Sequence, residues 1–289
     1  MNIFRIITLL VLAVWGLLCF GTVAVQAAAE EPQEVSEYPT LDSLFTLYQP
    51  YLGNLSPYEP IYFLVGTDPA KSKFQFSFRY RLFNSEGPLA AEHPWVNGLH
   101  FGYTQTSFWD LGSDSAPFED TSYKPELFHL SSNWVNGRNG VQGLFLQTGL
   151  HHESNGRGED ESRSNNILYF RPILIFYSKT SRLGLQVSPR AWLYVKKGHN
   201  NKDLSDYRGY FELEAKAGRA DNLMVGTVLR WAKEGGGSVQ LDATYPVHKA
   251  LSDNMAIYLT AQYVNILGES LLHYRERTEA LRLGISFLR

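Results

Sequence analysis

Residues 143–176 read GLFLQTGLHHESNGRGEDESRSNNILYFRPILIF. Two extended apolar segments flank a polar turn, which is the pattern of an antiparallel β-hairpin. Successive side chains of a strand point to opposite faces, so the even-numbered residues of the first segment form one row that ends in His152 and Ser154. The even row of the second segment begins with Asn166 and Leu168. The hairpin therefore places three polar side chains on its more apolar face.

The pairing of the two strands brings these three residues together. In an antiparallel pair the numbers of facing residues have a constant sum, and His152 opposite Asn166 gives the same sum as Ser154 opposite Ser164. Facing Cβ atoms lie about 5 Å apart. A serine nucleophile needs an adjacent base, and the base needs a group that fixes its orientation. The hairpin predicts a hydrolase site with Ser154 as nucleophile, His152 as base and Asn166 as the orienting amide.

The start of the chain is predicted to be a secretory signal peptide covering residues 1–28, with cleavage within 27–29. Met1 to Arg5 carry one positive charge, Ile6 to Phe20 is apolar, and small residues follow. The apolar run is short for a membrane span, so a retained anchor is the less favoured alternative. Cleavage would remove Cys19, the only cysteine, and we expect neither disulfides nor thiol chemistry in the remaining chain.

The rest of the chain predicts an all-β fold, a transmembrane antiparallel β-barrel of about twelve strands at 60–289, preceded by a short periplasmic N-terminal arm at 29–59. Aromatic residues make up 14% of the chain, and many short segments alternate between apolar and polar residues, as in barrel strands. A soluble β-sandwich is the competing fold. The predicted strands are 60–66, 74–83, 98–111, 127–135, 141–154, 166–178, 183–195, 209–217, 222–231, 238–245, 255–264 and 277–288.

The predicted connections differ in length and polarity. Those at 136–140 and 179–182 are short, whereas those at 112–126, 155–165 and 196–208 are long and polar. Short turns at one end and long loops at the other would place the predicted site on the outer face, near the extracellular rim. The formal net charge of −3, with acids and bases interspersed, gives no basic stripe, and we expect no nucleic-acid partner.

A set of residues around this turn matches a known family pattern, with further matches at 103–105, 117–118, 121, 123 and 268–271. The residues of the set are His152, Ser154, Asn155, Gly156, Arg157, Ser162, Arg163, Ser164, Asn166, Leu168 and Tyr169. In these residues the chain resembles the outer-membrane phospholipase A family of Gram-negative bacteria. The resemblance implies a calcium-dependent phospholipase A1/A2, with lysophospholipase activity, that forms an acyl-enzyme on its serine and is active as a homodimer in the outer membrane.

Calcium ligands follow from the resemblance, since an oxygen-rich turn without the EF-hand pattern leaves the cation open. The resemblance implies that Ca²⁺ is bound by the backbone oxygen of Arg157 and the hydroxyl of Ser162. A further backbone oxygen, at Ser115, would come from the partner protomer. A second calcium ligand of the family falls on Asn200, with the nearby Asp203 as its alternative.

Other residues are assigned smaller roles. Backbone N–H groups from Ser154 to Gly156 are expected to stabilise the oxyanion. Gln105 matches a polar residue at the dimer interface of the family, and its alternative is an ordinary lumen-facing residue. The remaining histidines that we considered, His151, His129 and His248, are expected to be structural.

Two other functions are compatible with the sequence. One is a catalytically silent structural or porin-like barrel, which the complete set of Ser154, His152 and Asn166 argues against. The other is a different outer-membrane acyl hydrolase, such as a lipid A deacylase. Products from phospholipid and from lipopolysaccharide would separate the two hydrolases.

Overall fold

The computed structural model describes residues 53–135, 141–249 and 256–289. The predicted signal peptide and most of the predicted arm lie outside these residues. No helix among them is long and apolar enough to cross a membrane.

The regular secondary structure of the described chain is mostly β-strand, with two short α-helices and a few 3₁₀ turns. Helix α1 is Pro88–Glu92 and helix α2 is Leu204–Arg208. The strands are β1 Leu55–Pro57, β2 Ile61–Gly66, β3 Ser72–Arg81, β4 Leu99–Trp109, β5 Phe118–Leu130, β6 Val141–Ser154, β7 Ser164–Ser178, β8 Leu183–Lys197, β9 Phe211–Gly218, β10 Met224–Ala232, β11 Gly236–Pro246, β12 Tyr258–Leu267 and β13 Arg277–Leu288.

Strands β2 to β13 form a closed antiparallel ring. Each pairs with the next in sequence, and β13 pairs back with β2, for example Ile285 with Phe63. The twelve-stranded barrel is confirmed. Strand β1 is an addition that pairs with β3 at the end of the predicted arm. A ring with a polar interior and an apolar exterior replaces the alternative of a soluble sandwich.

One predicted boundary is wrong. Residues 112–126 were expected to form a long polar loop and 127–135 a strand, yet β5 begins at Phe118 and ends at Leu130. Lys124 and Glu126 line the lumen, while Tyr123 and Leu127 are exposed on the outside. Because the inner row of this strand is charged, its composition is that of a loop even though its backbone is extended.

The lumen contains buried charges that are paired with one another. Glu269 accepts hydrogen bonds from both Lys73, at 2.9 Å, and Arg282, at 2.8 and 2.9 Å. These three side chains are 7%, 5% and 1% exposed. Glu153 accepts a hydrogen bond from one buried cation, Arg208, at 2.7 Å. Pairing offsets the large cost of removing each charge from water.

The outer wall is apolar over most of its surface. Its exposed large side chains include Phe76, Phe101, Leu127, Leu150, Leu168, Phe170, Leu193, Leu229, Leu241, Leu259, Leu281, Leu283 and Phe287. In a transmembrane barrel such a surface faces lipid.

The up-and-down topology assigns every connection to one of two ends. Those following β2, β4, β6, β8, β10 and β12 share one end, which we call the site end, with the polar turn at 155–163. The expectation that loop length separates the ends holds only in part. The three-residue turn 233–235 lies at the site end, and the segment 82–98, which contains α1, lies at the opposite end.

We predict that Glu269→Gln destabilises the barrel by about 3–5 kcal/mol, because two buried cations lose their shared carboxylate. Urea unfolding in detergent micelles, followed by tryptophan fluorescence, measures the change. Glu276→Gln is the matched control, since this carboxylate lies in the same connection with 71% of its side chain exposed. Equal unfolding midpoints for the two variants would contradict the prediction.

Candidate active site

The hairpin β6–β7 has the predicted register. His152 faces Asn166, and Ser154 faces Ser164. The intervening residues form the turn 155–163, which lies at the site end of the barrel.

The three candidate residues lie on the outer wall. The odd-numbered residues His151, Glu153 and Asn165 line the lumen, so the even rows point away from it. Along those even rows Leu150 and Leu168 are 55% and 46% exposed. The polar residues therefore interrupt an otherwise apolar surface at the rim.

His152 and Asn166 are joined by a hydrogen bond of 2.8 Å between Nδ1 and Oδ1. A carbonyl oxygen only accepts, so the imidazole proton is on Nδ1 and the lone pair is on Nε2. This is the tautomer that a general base requires. Within the described residues the Ser154 hydroxyl makes no hydrogen bond to His152. The predicted nucleophile and base are therefore adjacent on the wall but are not hydrogen-bonded.

The turn is held by the buried side chain of Asn155, which is 4% exposed. Its amide donates to the carbonyl of Glu161 at 2.9 Å, and its oxygen accepts from the backbone N–H of Arg163 at 3.0 Å and of Arg157 at 3.4 Å. The backbone N–H of Asn155 donates to the carbonyl of Arg163 at 3.1 Å. One asparagine thus ties the two sides of the turn together.

Gly156 allows the chain to turn immediately after the candidate nucleophile. Its φ of +68° is in the left-handed region, and a Cβ there would lie 2.8 Å from the ring of Tyr123. Tyr123 is in turn the β5 partner of Ser154. Both backbone conformation and close packing therefore require glycine at this position.

The turn also carries the expected calcium ligands. The Arg157 side chain donates to Glu161 at 2.5 Å and to the carbonyl of Glu119, while its own carbonyl oxygen accepts no hydrogen bond from the described residues. The Ser162 hydroxyl is likewise unengaged within that part of the chain. Both are hard oxygen donors of the kind that Ca²⁺ takes. No group of three or more His, Cys, Asp or Glu side chains in the described ranges could hold a metal ion.

Ser115 lies apart from this turn, in the connection 110–117. Ser115 and Ala116 have φ values of +63° and +41°, which are uncommon for residues with a side chain. The Trp109 indole donates to the Ala116 carbonyl at 2.6 Å and fixes this bend. Within one protomer, no hydrogen bond between described residues links Ser115 to the turn 155–163.

Asn200 and Asp203 have different surroundings. The Asn200 amide donates to the carbonyls of Glu159, at 2.7 Å, and Ser162, at 3.4 Å, and so contacts the candidate calcium turn. Asp203 instead accepts hydrogen bonds from Tyr274 and Arg275. Burial opposes its ionisation, but these two donors prevail and lower the pKa of the Asp203 carboxyl.

Gln105 faces outward, since its neighbours Thr104 and Thr106 line the lumen. Its amide oxygen accepts from the Tyr103 hydroxyl at 3.0 Å, and its amide nitrogen donates to Ser107 at 3.3 Å. The alternative of a lumen-facing role does not fit this position. In register Gln105 faces Tyr123, which faces Ser154, so the two candidate residues lie at one level of the wall.

The other histidines lie away from this row. His151 lines the lumen, and His129 contacts the carbonyl of Trp95 at 3.0 Å. His248 lies in the short helical turn Val247–Lys249 at the opposite end.

Sequence reasoning assigned no structural role to Asn155 or to the fully buried Asn201, which donates to the Ser164 carbonyl at 2.9 Å. No spacing reveals such residues, because their partners come from a fold that brings separate connections together.

Comparison with known proteins identifies relatives of this chain. The family model for phospholipase A1 matches residues 34–287. The chain belongs to the phospholipase A1 family. Its barrel is that of an outer-membrane protein of Gram-negative bacteria, similar in structure to outer membrane phospholipase A.

Relatives of the phospholipase A1 family are distant in sequence. The chain is 28% identical over 222 residues to phospholipase A1 of Escherichia coli K12, covering 74% of this chain and 68% of that protein. It is 30% identical over 226 residues to a protein of Neisseria meningitidis serogroup B that is provisionally named phospholipase A1. That alignment covers 75% of this chain and 54% of the Neisseria protein, about half its length.

Solved structures of the family share the fold. Outer membrane phospholipase A of E. coli matches with a TM-score of 0.64 and 25% identity, covering 81% of this chain and 91% of that one. An active-site mutant of the same protein, with asparagine replaced by alanine, gives the same values. The calcium-bound dimer of the Salmonella typhi phospholipase also gives 0.64 and 25%, covering 81% and 92%.

We predict that Asn155→Ala opens the turn. Losing hydrogen bonds of a buried amide costs about 1–3 kcal/mol, so trypsin should cut the folded protein after Arg157 or Arg163 about tenfold faster. Timed proteolysis in detergent with mass spectrometry of the fragments measures this. Asn222→Ala, in the connection 219–223 at the opposite end, is the control and should not change these cleavages. An unchanged rate for Asn155→Ala would show that the turn is held by other contacts.

Proposed function

We propose that the protein is a calcium-dependent outer-membrane phospholipase. It hydrolyses acyl esters of glycerophospholipids, with A1, A2 and lysophospholipase activity, and is active as a homodimer. The observation that carries this proposal is the hydrogen bond from His152 to Asn166 beside Ser154 on the lipid-facing wall. A substrate ester in the membrane reaches this row without entering the barrel.

Proton transfer follows from the tautomer of His152. Asn166 holds the Nδ1–H, which leaves Nε2 to accept the proton of Ser154 as the hydroxyl attacks the ester carbonyl. His152 then returns the proton to the leaving alcohol, and water releases the fatty acid from the acyl-enzyme by the same route. Asn166 supplies no negative charge, so it orients the imidazole without stabilising the imidazolium as a carboxylate would.

The oxyanion requires donors at the beginning of the turn. We assign the backbone N–H groups of Ser154 and Gly156 to this role. The intervening N–H of Asn155 is already bonded to the Arg163 carbonyl, so it is not available. The positive φ of Gly156 redirects the chain next to the nucleophile, which supports the assignment.

The calcium ligands proposed within one protomer are the carbonyl oxygen of Arg157 and the hydroxyl of Ser162. A calcium ion held by these oxygens would supply positive charge near the oxyanion. Two protein oxygens are few for a cation that takes roughly six to eight. The Ser115 carbonyl of a second protomer and water are proposed to complete the set. The Salmonella typhi relative is a dimer with bound calcium, which supports a link between calcium and dimerisation.

Gln105 supports dimerisation at the same level of the wall. It is a polar residue on a lipid-facing row, two strands from Ser154. A second protomer could take its amide as a hydrogen-bond partner in surroundings where water offers none. Such a contact would place the partner beside the nucleophile.

We predict that Ser154→Ala abolishes fatty-acid release, by at least about 10³-fold, because the nucleophile is lost. The assay uses refolded protein and phospholipid in mixed micelles, with calcium or with a chelator, and the chelator should abolish wild-type activity too. Ser164→Ala, on the facing strand, is the control that retains activity. Equal release by wild type and Ser154→Ala would refute the nucleophile. No release by wild type from phospholipid would favour a silent barrel, and release only from lipopolysaccharide would favour a lipid A deacylase.

We predict that Gln105→Leu weakens the calcium-dependent dimer severalfold, since an interhelical or interstrand hydrogen bond in lipid contributes about 0.6–2 kcal/mol. Chemical cross-linking across a range of protein-to-detergent ratios measures the dimer fraction. Gln186→Leu is the control, because Gln186 bonds to the fully buried Ser188 on another part of the barrel. An unchanged dimer fraction would place the interface elsewhere.

A further inference from the structure

The register of β7 and β8 contains a β-bulge beside the candidate site. Leu168 pairs with Leu193 and Ile167 with Tyr194, but Asn166 pairs with Lys196, so Val195 is the extra residue. Strict alternation would turn Lys196 into the lumen, because Tyr194 lines it. The bulge instead puts Lys196 on the outer wall, on the same face as Asn166.

Lys196 is exposed and lies in one row with the candidate base. The row runs from His152 through Asn166 to Lys196 across three neighbouring strands. With strands about 4.8 Å apart, the backbones of His152 and Lys196 are about 10 Å apart. Ser154 lies two residues from His152 toward the rim, so a group bound to its hydroxyl lies within a lysine's length of this cation.

The backbone at Lys196 is anchored just beyond it. The Gly198 N–H donates to the Ser164 carbonyl at 2.7 Å, and the fully buried Asn201 side chain also bonds to Ser164. A Cβ at Gly198 would lie 2.3 Å from the Asn201 side-chain oxygen, so the chain passes close to this anchor. The end of β8 therefore holds Lys196 in a defined place relative to Asn166.

The charge of Lys196 is not used inside the protein. No carboxylate of the described residues pairs with it, whereas Arg157 pairs with Glu161 and Lys197 donates to Ser205. Below Lys196 the wall is apolar, and Leu193 and Val195 are 67% and 66% exposed. An unpaired cation above an apolar surface matches the two parts of a phospholipid, an anionic phosphate and acyl chains.

We infer that Lys196 binds the phosphate of the phospholipid substrate and makes the enzyme prefer phosphate-bearing esters. This inference rests on the proposed function. Phosphate and ester of a glycerophospholipid are separated by only a few bonds, so a phosphate on Lys196 brings the ester to Ser154. The long, flexible stem of lysine allows its ammonium group to reach the rim, where headgroups lie. Lys196 is thus a specificity-determining residue at the end of the row that contains His152 and Asn166.

The test compares a phosphatidylglycerol with a diacylglycerol of the same acyl chains, in the same mixed micelles and at the same calcium concentration. Lys196→Gln should lower kcat/KM for phosphatidylglycerol about three- to tenfold, mainly through KM, and leave diacylglycerol hydrolysis unchanged. Lys196→Arg should restore most of the loss. Lys233→Gln, an exposed lysine at the same end on a distant strand connection, should affect neither substrate. High salt should reduce the difference between Lys196→Gln and wild type.

Binding separates this inference from the proposed function. In a Ser154→Ala background, Lys196→Gln should weaken the binding of dihexanoyl-phosphatidylglycerol, measured by calorimetry, by the same factor. Equal affinities, or equal losses on both substrates in the kinetic assay, would overturn the role of Lys196. A wild type that hydrolyses neither ester refutes the proposed function, and the binding comparison still decides whether Lys196 holds the phosphate.

Discussion

Closure of the sheet between β13 and β2 determines the rest of the structure. Backbone groups in hydrocarbon must pair within the protein, and a closed antiparallel ring leaves no free edge. Closure also fixes sidedness, because alternate residues of each strand face either the lumen or lipid. Charges on inner rows can find partners inside the barrel, as Lys73 and Arg282 do with Glu269 of the connection after β12. A polar group on an outer row must find its partner on that row or in the membrane.

The hairpin β6–β7 uses this sidedness. His152 and Asn166 are hydrogen-bonded to each other on the outer row, while the Ser154 hydroxyl has no hydrogen-bond partner among the described residues. A hydroxyl on this outer row can react only with a molecule that reaches it from the membrane. The lumen lies on the opposite side of the wall from this row, and its cavity of about 360 Å³ is lined by many charged residues. In the proposed enzyme, substrate would therefore reach the site by moving within the lipid layer.

Much of this arrangement follows from alternation alone. Parity predicted the outer row and the pairing of His152 with Asn166, and the number of apolar segments predicted twelve strands. The start of β5 was missed because its inner row, with Lys124 and Glu126, is as polar as a loop. The bulge at Val195 was also missed, because strict alternation does not anticipate an inserted residue. One inserted residue exchanges the inner and outer faces for every residue that follows it in the strand. Contacts between connections, such as those of Asp203 with Tyr274, depend on the closed fold and have no signature in the sequence.

In the proposed enzyme, the residue that supports dimerisation and the residue that binds the headgroup lie on opposite sides of the nucleophile. At the level of the nucleophile, Gln105 lies on the β4 side of Ser154, and Lys196 lies on the β8 side. A partner packed against β4 and β5 leaves the β8 side open to lipid. The headgroup can then lie on Lys196 while the partner completes the calcium ligands near Arg157. Because a single protomer offers only two of the proposed protein oxygens, the proposed enzyme would hydrolyse the surrounding phospholipid only where a second protomer is bound.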